Sequence, residues 1–178
     1  AGRRGAGGDV FLEAGRALAK EMRLVGFYLQ PGVGGITLSR GFWSRFASID
    51  NVVAIKVAPF NRYRTLDVAF GIANAHAEER ITLYTGNDDH IVLDLAVPFD
   101  VPRDDKRRGE TVRMRIKGGL LGHWSVWTKS AVELHARIHA AVAANKVDAE
   151  LPALDARVTD AHSPVFAFAN DCARGHPG

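Results

Sequence analysis

The sequence predicts an α/β fold built on a parallel sheet, and three observations carry the prediction. Apolar stretches of strand length alternate with amphipathic stretches of helix length, the pattern of repeated βαβ units. The strand-like stretches show little polar alternation, as parallel strands do when both faces are covered. Tyr28, Lys56 and Thr85 fall near the C-terminal ends of three successive stretches, at intervals of 28 and 29 residues. A (β/α)8, or TIM, barrel averages roughly 30 residues per unit over about 250 in all, so four such strands amount to half of one. A doubly wound open sheet has a similar period. However, no strand here leads into a GxGxxG turn, and GVGG at 32–35 does not have that spacing.

Taken in order, Asp9 is placed to cap a helix running to Met22, with Phe11, Ala14, Leu18 and Met22 on one face. RLVGFYLQ follows as the first strand, ended by Pro31 and the glycines beyond it. Ser39 is placed to cap a second helix carrying Phe42, Trp43, Phe46 and Ile49, and NVVAIKVA is the second strand, closed by Pro59. Thr65 is expected to cap the third helix, whose Leu66, Ala69, Phe70 and Ala73 share a face, before the strand ITLYTG. Asp88 is expected to cap a short helix over Ile91 to Val97. After DVPRDDKRRGETVR, read as a loop, comes the last strand, MRIKGGLLG, and then a helix with Ala131, Leu134, His135, Ile138 and Val142 inward. Residues 103–117 hold seven basic and three acidic side chains, an excess that suits either a solvated loop or a rim attracting anionic substrates.

With 178 residues, 47% hydrophobic and 24% charged, the chain has the make-up of one ordinary globular domain. No apolar run approaches the roughly 18 residues of a membrane span, and no charged and then apolar leader opens the chain. The single cysteine, Cys172, has no partner for an intramolecular disulfide, so a cytoplasmic location is expected. Basic residues exceed acidic ones by only three, which argues against a nucleic-acid partner. The AGRRGAGG start and the DCARGHPG end read as those of a fragment or a frameshifted end, the alternative being a complete small domain with flexible termini. The expected division is a linker or disordered stretch over 1–8, half a barrel over 9–145, and a truncated helical extension over 146–178.

Lys56 is the residue most suggestive of chemistry. Period-two alternation puts Val52, Ala54 and Lys56 on one face of their strand and Val53, Ile55 and Val57 on the other. The branched residues suit a helix layer, which leaves Lys56 facing a barrel interior. An ammonium taken out of water there loses hydration on the order of several kcal/mol unless paired, and is driven toward the neutral amine. A neutral lysine attacks a ketone or aldehyde, and the iminium that results is an electron sink. The plain structural alternative is a strand-end lysine that reaches solvent along its apolar stem. Tyr28 stands at the matching end of the preceding strand, with Leu24, Gly26 and Tyr28 expected inward and Val25, Phe27 and Leu29 outward. Amine and phenol would then share a pocket at the C-terminal face, where a phenol can relay protons. The alternative is a half-buried tyrosine bonded to the backbone.

GFYLQP resembles the Tyr-x-x-Pro strand end of the dihydrodipicolinate synthase and N-acetylneuraminate lyase family. VVAIKVA is similar to that family's Ile-Lys strand bearing the Schiff-base lysine, TGNDD to its Ser-Gly-Asp-Asp turn, and KGGLLGHW occupies the place of its Gly-rich eighth strand. The likeness covers residues 9–145 in order and spacing, and looks greatest to the branch described only as dihydrodipicolinate synthase family protein. It implies the C-terminal half of the barrel, about strands 5 to 8, and cofactor-free class I aldolase-type chemistry. It implies too that Lys56 forms an imine with a pyruvate-like 2-oxo acid or a sugar acid and that Tyr28 relays protons. Thr85, Gly86 and Asn87 would border the pocket, and Gly119 to Gly122 would line it.

The chain departs from the family at two points. GVGG follows Pro31 where the family commonly has an arginine, and Val57 stands where many members carry an acid. Both point away from dihydrodipicolinate synthesis itself, toward another aldehyde partner or a dehydratase-type step. In the family, the small-hydroxyl pair that holds the 2-oxo acid carboxylate and the tyrosine lent by a neighbouring subunit belong to the first half of the barrel. The full-length form is thus expected to be a homo-oligomeric lyase and the 178-residue chain alone to be inactive; the rival reading is a non-catalytic barrel remnant or binding module. His123, after the last strand, is either an acid or base at the pocket or a structural hydrogen-bonding residue. The histidines and the adjacent Asp88 and Asp89 show no HExxH or similar spacing, so no metal is expected.

Overall fold

The computed structural model describes residues 6–103, 109–147, 150–155 and 157–158. In chain order the elements are α1 (Ala6–Leu18), β1 (Leu24–Leu29), a 3-10 turn (Pro31–Val33), α2 (Arg40–Ala47), β2 (Val52–Ala58), α3 (Arg62–Asn74) and β3 (Thr82–Thr85). They continue with α4 (Ile91–Ala96), β4 (Phe99–Pro102), β5 (Thr111–Met114), β6 (Ile116–Gly119), α5 (Gly122–Val126) and α6 (Thr128–Ala143). Strands β1, β2, β3 and β6 form one parallel sheet in that spatial order, so the expected α/β class and its parallel strands are present.

Because each new strand is added on the same side of the last, right-handed crossovers lay the connecting helices against one face of the sheet. The side chains agree. A Cβ placed on Gly26 would lie 2.7 Å from Phe46 of α2, and the Tyr28 ring packs on Trp43 of α2 at 5.0 Å between centroids. Farther along, the Thr85 hydroxyl bonds Asp94 of α4. Between sheet and helices lies one buried cluster that includes Trp43, Phe46, Ile55, Val57, Val68, Ile72, Leu83 and Ile116. The opposite face is exposed at β1, where Val25 is 60% exposed and Phe27 50%, and covered at β2, where Ala54 and Ala58 are buried.

Local signals account for the helix starts unevenly. Ser39 caps α2 as expected, its hydroxyl accepting from Phe42 N. By contrast α3 begins three residues before Thr65, with Asn61 as its cap, and Thr65 is buried inside the helix. Asp9 lies within α1, and α4 has His90 at its N-cap, so neither Asp9 nor Asp88 caps a helix. The first-turn amides of Val92 and Leu93 donate instead to Asp155 Oδ1, on a residue more than sixty positions away.

The stretch expected to be a loop after α4 contains an antiparallel pair, β4 with β5, in which Phe99 faces Met114 and Val101 faces Val112. Phe99, Val101 and Met114 are buried, and Arg103 clamps the hairpin to α3 through Ala73 O, Glu78 and Glu110. Residues 1–5 and 104–108, and most of the expected extension over 146–178, lie outside the described residues. No helix among the described residues is long and apolar enough to cross a membrane.

Candidate functional site

In a parallel ladder, residues in register point to the same face. Phe27, Lys56, Tyr84 and Gly118 form one such row, across β1, β2, β3 and β6. Lys56 therefore stands on the face away from the helices, as its alternation with Ile55 and Val57 predicts. Its Nζ lies 4.5 Å from the centre of the Phe27 ring, on the face of the aromatic system. Gly86, just past β3, completes the enclosure: a Cβ there would fall 2.5 Å from Lys56 Cε and 2.9 Å from Ala58 Cβ. The amine is thus held between an aromatic face and a backbone with no side chain. On the next strand, the Tyr84 ring lies over Gly118, where a Cβ would come within 2.9 Å of its edge.

Tyr28 is not in that row. It is in register with Val57 and Thr85's row, one residue on, and belongs to the helix-covered face. It is fully buried, its hydroxyl donating to Leu38 O and accepting from Leu38 N, both at 3.3 Å. The expected pairing of the Tyr28 phenol with the Lys56 amine is therefore not made. Leu24, Val25, Gly26 and Phe27 all suit an interior, so alternation separates two faces without naming the inner one. A register shift between Leu24 and Val25 adds to the ambiguity. The bulky, hydrogen-bonding Tyr28 goes to the aromatic cluster, and Val25 and Phe27 are left on the opposite face.

Of the loop residues, Gly86 borders Lys56, whereas Thr85 and Asn87 turn their side chains into the helix layer. Thr85 Oγ1 donates to Asp94 Oδ2 at 2.6 Å, and Asn87 Nδ2 donates to the same oxygen at 2.9 Å. Arg62 Nη1 reaches Asp94 Oδ1 at 2.6 Å, and Asn87 Oδ1 accepts from Phe60 N at 3.0 Å. Burial pushes the Asp94 carboxyl above its ordinary range, against the opposing pull of Thr85, Asn87, Arg62 and His90. The network fixes the turn that carries Gly86, so Asp94 positions the wall of the Lys56 site from behind it. It also holds Phe60 with φ of 49°, a conformation costly for a side chain of that size.

Gly119 falls in the row of Thr85, and a Cβ there would meet Leu121 and Trp124, so it packs on the helix side and not beside Lys56. Gly122 opens α5, with nothing near its Cβ position. His123 follows it in α5, and its side chain lies outside the described part of the structure. The sequence expectation puts Phe27 outward, on the face opposite to Lys56, and the register overturns it; Tyr84, Gly118 and Asp94 have no site role in that expectation. Tyr84 was legible, since ITLYT places it two residues from Gly86 on the same side; Asp94 acts through the tertiary fold, and no local signal marks it. Among the described residues, the grooves that Lys56 does not line include an apolar one of about 420 Å³ at the β1 edge, reaching Phe27 and Phe11, and a polar one of about 290 Å³ beside Arg62, His90 and Asp94. Compared with known proteins, the chain matches no family model, no curated protein and no solved structure.

Proposed function

We propose that the chain is the C-terminal half of a (β/α)8 barrel and that the complete barrel is a Schiff-base-forming lyase, of the dihydrodipicolinate synthase and N-acetylneuraminate lyase type, with Lys56 as its amine. The observation that supports this most is the place of Lys56: toward the C-terminal end of a parallel strand, on the face away from the helices, with an aromatic ring and two small residues around it. Four parallel strands in chain order with helices on one face suit half of a closed barrel, whose interior is filled from both halves. The half-exposed Val25 and Phe27 are then interior residues awaiting the other half.

In this reading the Lys56 nitrogen lone pair attacks the carbonyl carbon of a pyruvate-like 2-oxo acid or a sugar acid. Loss of one water from the carbinolamine leaves an iminium, which takes up the electron pair of the breaking carbon–carbon bond to give an enamine and an aldehyde. In a carbon–oxygen lyase it takes up instead the pair of a carbon–hydrogen bond as the proton leaves, and the enamine then expels hydroxide, which is protonated to water. The phenol that serves the departing hydroxyl is Tyr84, on the neighbouring strand in the same row, in place of Tyr28. The test is borohydride reduction of the complete barrel, extended upstream of Ala1, in the presence of pyruvate, followed by peptide mapping. A stable adduct should form at Lys56 in preference to other lysines and be absent from Lys56→Ala and from Lys56→Arg, whose guanidinium stays protonated. Labelling spread evenly over the lysines, or undiminished in Lys56→Ala, rules the reading out.

A further inference from the structure

Strand β6 is the outer strand of the four-stranded sheet. Toward β3, Leu120 N donates to Thr85 O at 2.8 Å; strand alternation turns the carbonyl of Lys117 to the open side. There it meets α6. His135 and His139 stand four residues apart, on one face of that helix, and bring their Nε2 atoms to the same Lys117 oxygen at 2.9 and 2.8 Å. Their ring centroids are 4.2 Å apart. A carbonyl oxygen only accepts, so each ring donates Nε2–H to it. Two imidazole nitrogens and one oxygen thus converge on a point that solvent reaches.

We propose that this convergence is a site for a divalent cation of the copper or nickel kind, with Nε2 of His135, Nε2 of His139 and the Lys117 oxygen as protein ligands. Once the rings turn their Nε2 lone pairs aside from the oxygen, bonds of about 2.1 Å to a nitrogen and an oxygen that stay 2.8 to 2.9 Å apart subtend close to a right angle. That suits the tetragonal coordination of copper(II) or nickel(II), which imidazole also favours, better than tetrahedral zinc. Water completes the shell. On binding, each ring gives up its Nε2 proton and takes one at Nδ1, so the rings stay neutral and the cation displaces two hydrogen bonds. No group of three or more His, Cys, Asp or Glu side chains that could hold a metal occurs among the described residues; here the main-chain oxygen completes the set. The sequence signal is HARIH at 135–139, which has the i, i+4 pair of a zinc-protease helix without its glutamate. Bound there, the ion ties α6 to the outer edge of β6, which a closed barrel would instead pair with another strand, so the site belongs to the 178-residue chain by itself, whose fold it stabilises by mass action.

The experiment is titration of the full chain with copper(II), read by visible absorption and by electron paramagnetic resonance. The spectrum should show a site with two nitrogen ligands, and binding should raise the melting temperature. His135→Gln and His139→Gln each keep an N–H donor for the Lys117 oxygen, so α6 stays docked, but each removes an imidazole. Each should weaken this site at least tenfold, and the double variant should lose both the two-nitrogen spectrum and the rise in melting temperature. A wild-type spectrum without two nitrogens, or a double variant that binds copper as the wild type does, overturns the site.

Discussion

Asp94 is a carboxylate with no access to water, and its two oxygens are used by Thr85, Asn87 and Arg62. Since burial raises its pKa above the ordinary 3.8, the folded state keeps a proton that the unfolded state has already lost. The stability this carboxyl contributes is therefore greatest in acid and falls as pH rises from 3.8 through the raised value, then stays level. Denaturant midpoints for wild type and Asp94→Asn should show their difference moving against the wild type across that window. A difference that grows in its favour would mean that the Arg62 pair outweighs burial. Tyr28→Phe removes two hydrogen bonds at a buried site and should cost about 1 kcal/mol of stability, read as a lower denaturation midpoint. The face of Lys56 was legible because Ile55 and Val57 flank it with branched side chains that want the helix layer. The face of Tyr28 was not, because both sets of residues in LVGFYL are apolar and either could be buried.

Helices α2 and α3 approach closely at Gly71, where a Cβ would lie 2.4 Å from Trp43 Cβ and 2.8 Å from Ser44 N. Neither neighbour is the free end of a flexible side chain, so Gly71→Ala has to push the helices apart. It should cost about 1–3 kcal/mol or more, measured by the same midpoints; an unchanged midpoint would contradict this packing. Strands and helices were legible as elements because apolar runs and period-3.6 faces are local. Their exact starts were less so. Ser39 caps α2 through its own neighbours, whereas α4 is capped by Asp155 from across the fold, which no window of sequence contains. The hairpin of β4 and β5 was missed because its alternation is short on each strand and the charged run between them reads as solvated loop.

On the scale of the whole molecule, one face of the sheet is packed against helices, and the other leaves its β1 edge open, with Val25 and Phe27 in water beside Lys56. A contiguous apolar patch of this kind takes up hydrophobic dyes. Dye fluorescence with the native chain should be strong and should drop in Val25→Ser and Phe27→Ser, but not in a serine variant of exposed Tyr63, which lies on α3. Equal dye binding in all four proteins would place the apolar patch elsewhere. The succession of βα units was readable from spacing alone, but which face stays open depends on how the helices wind, and that belongs to the tertiary fold. The most direct test of the account is the rate of borohydride trapping at Lys56 with pyruvate in the complete barrel, with Tyr84→Phe and Tyr28→Phe side by side. Tyr84→Phe should slow trapping by about 10²-fold, the lower range for a positioned acid or base, while Tyr28→Phe stays within about twofold of wild type. The reverse order, with Tyr28→Phe slow and Tyr84→Phe unaffected, would contradict the row of Phe27, Lys56 and Tyr84 as the reacting face.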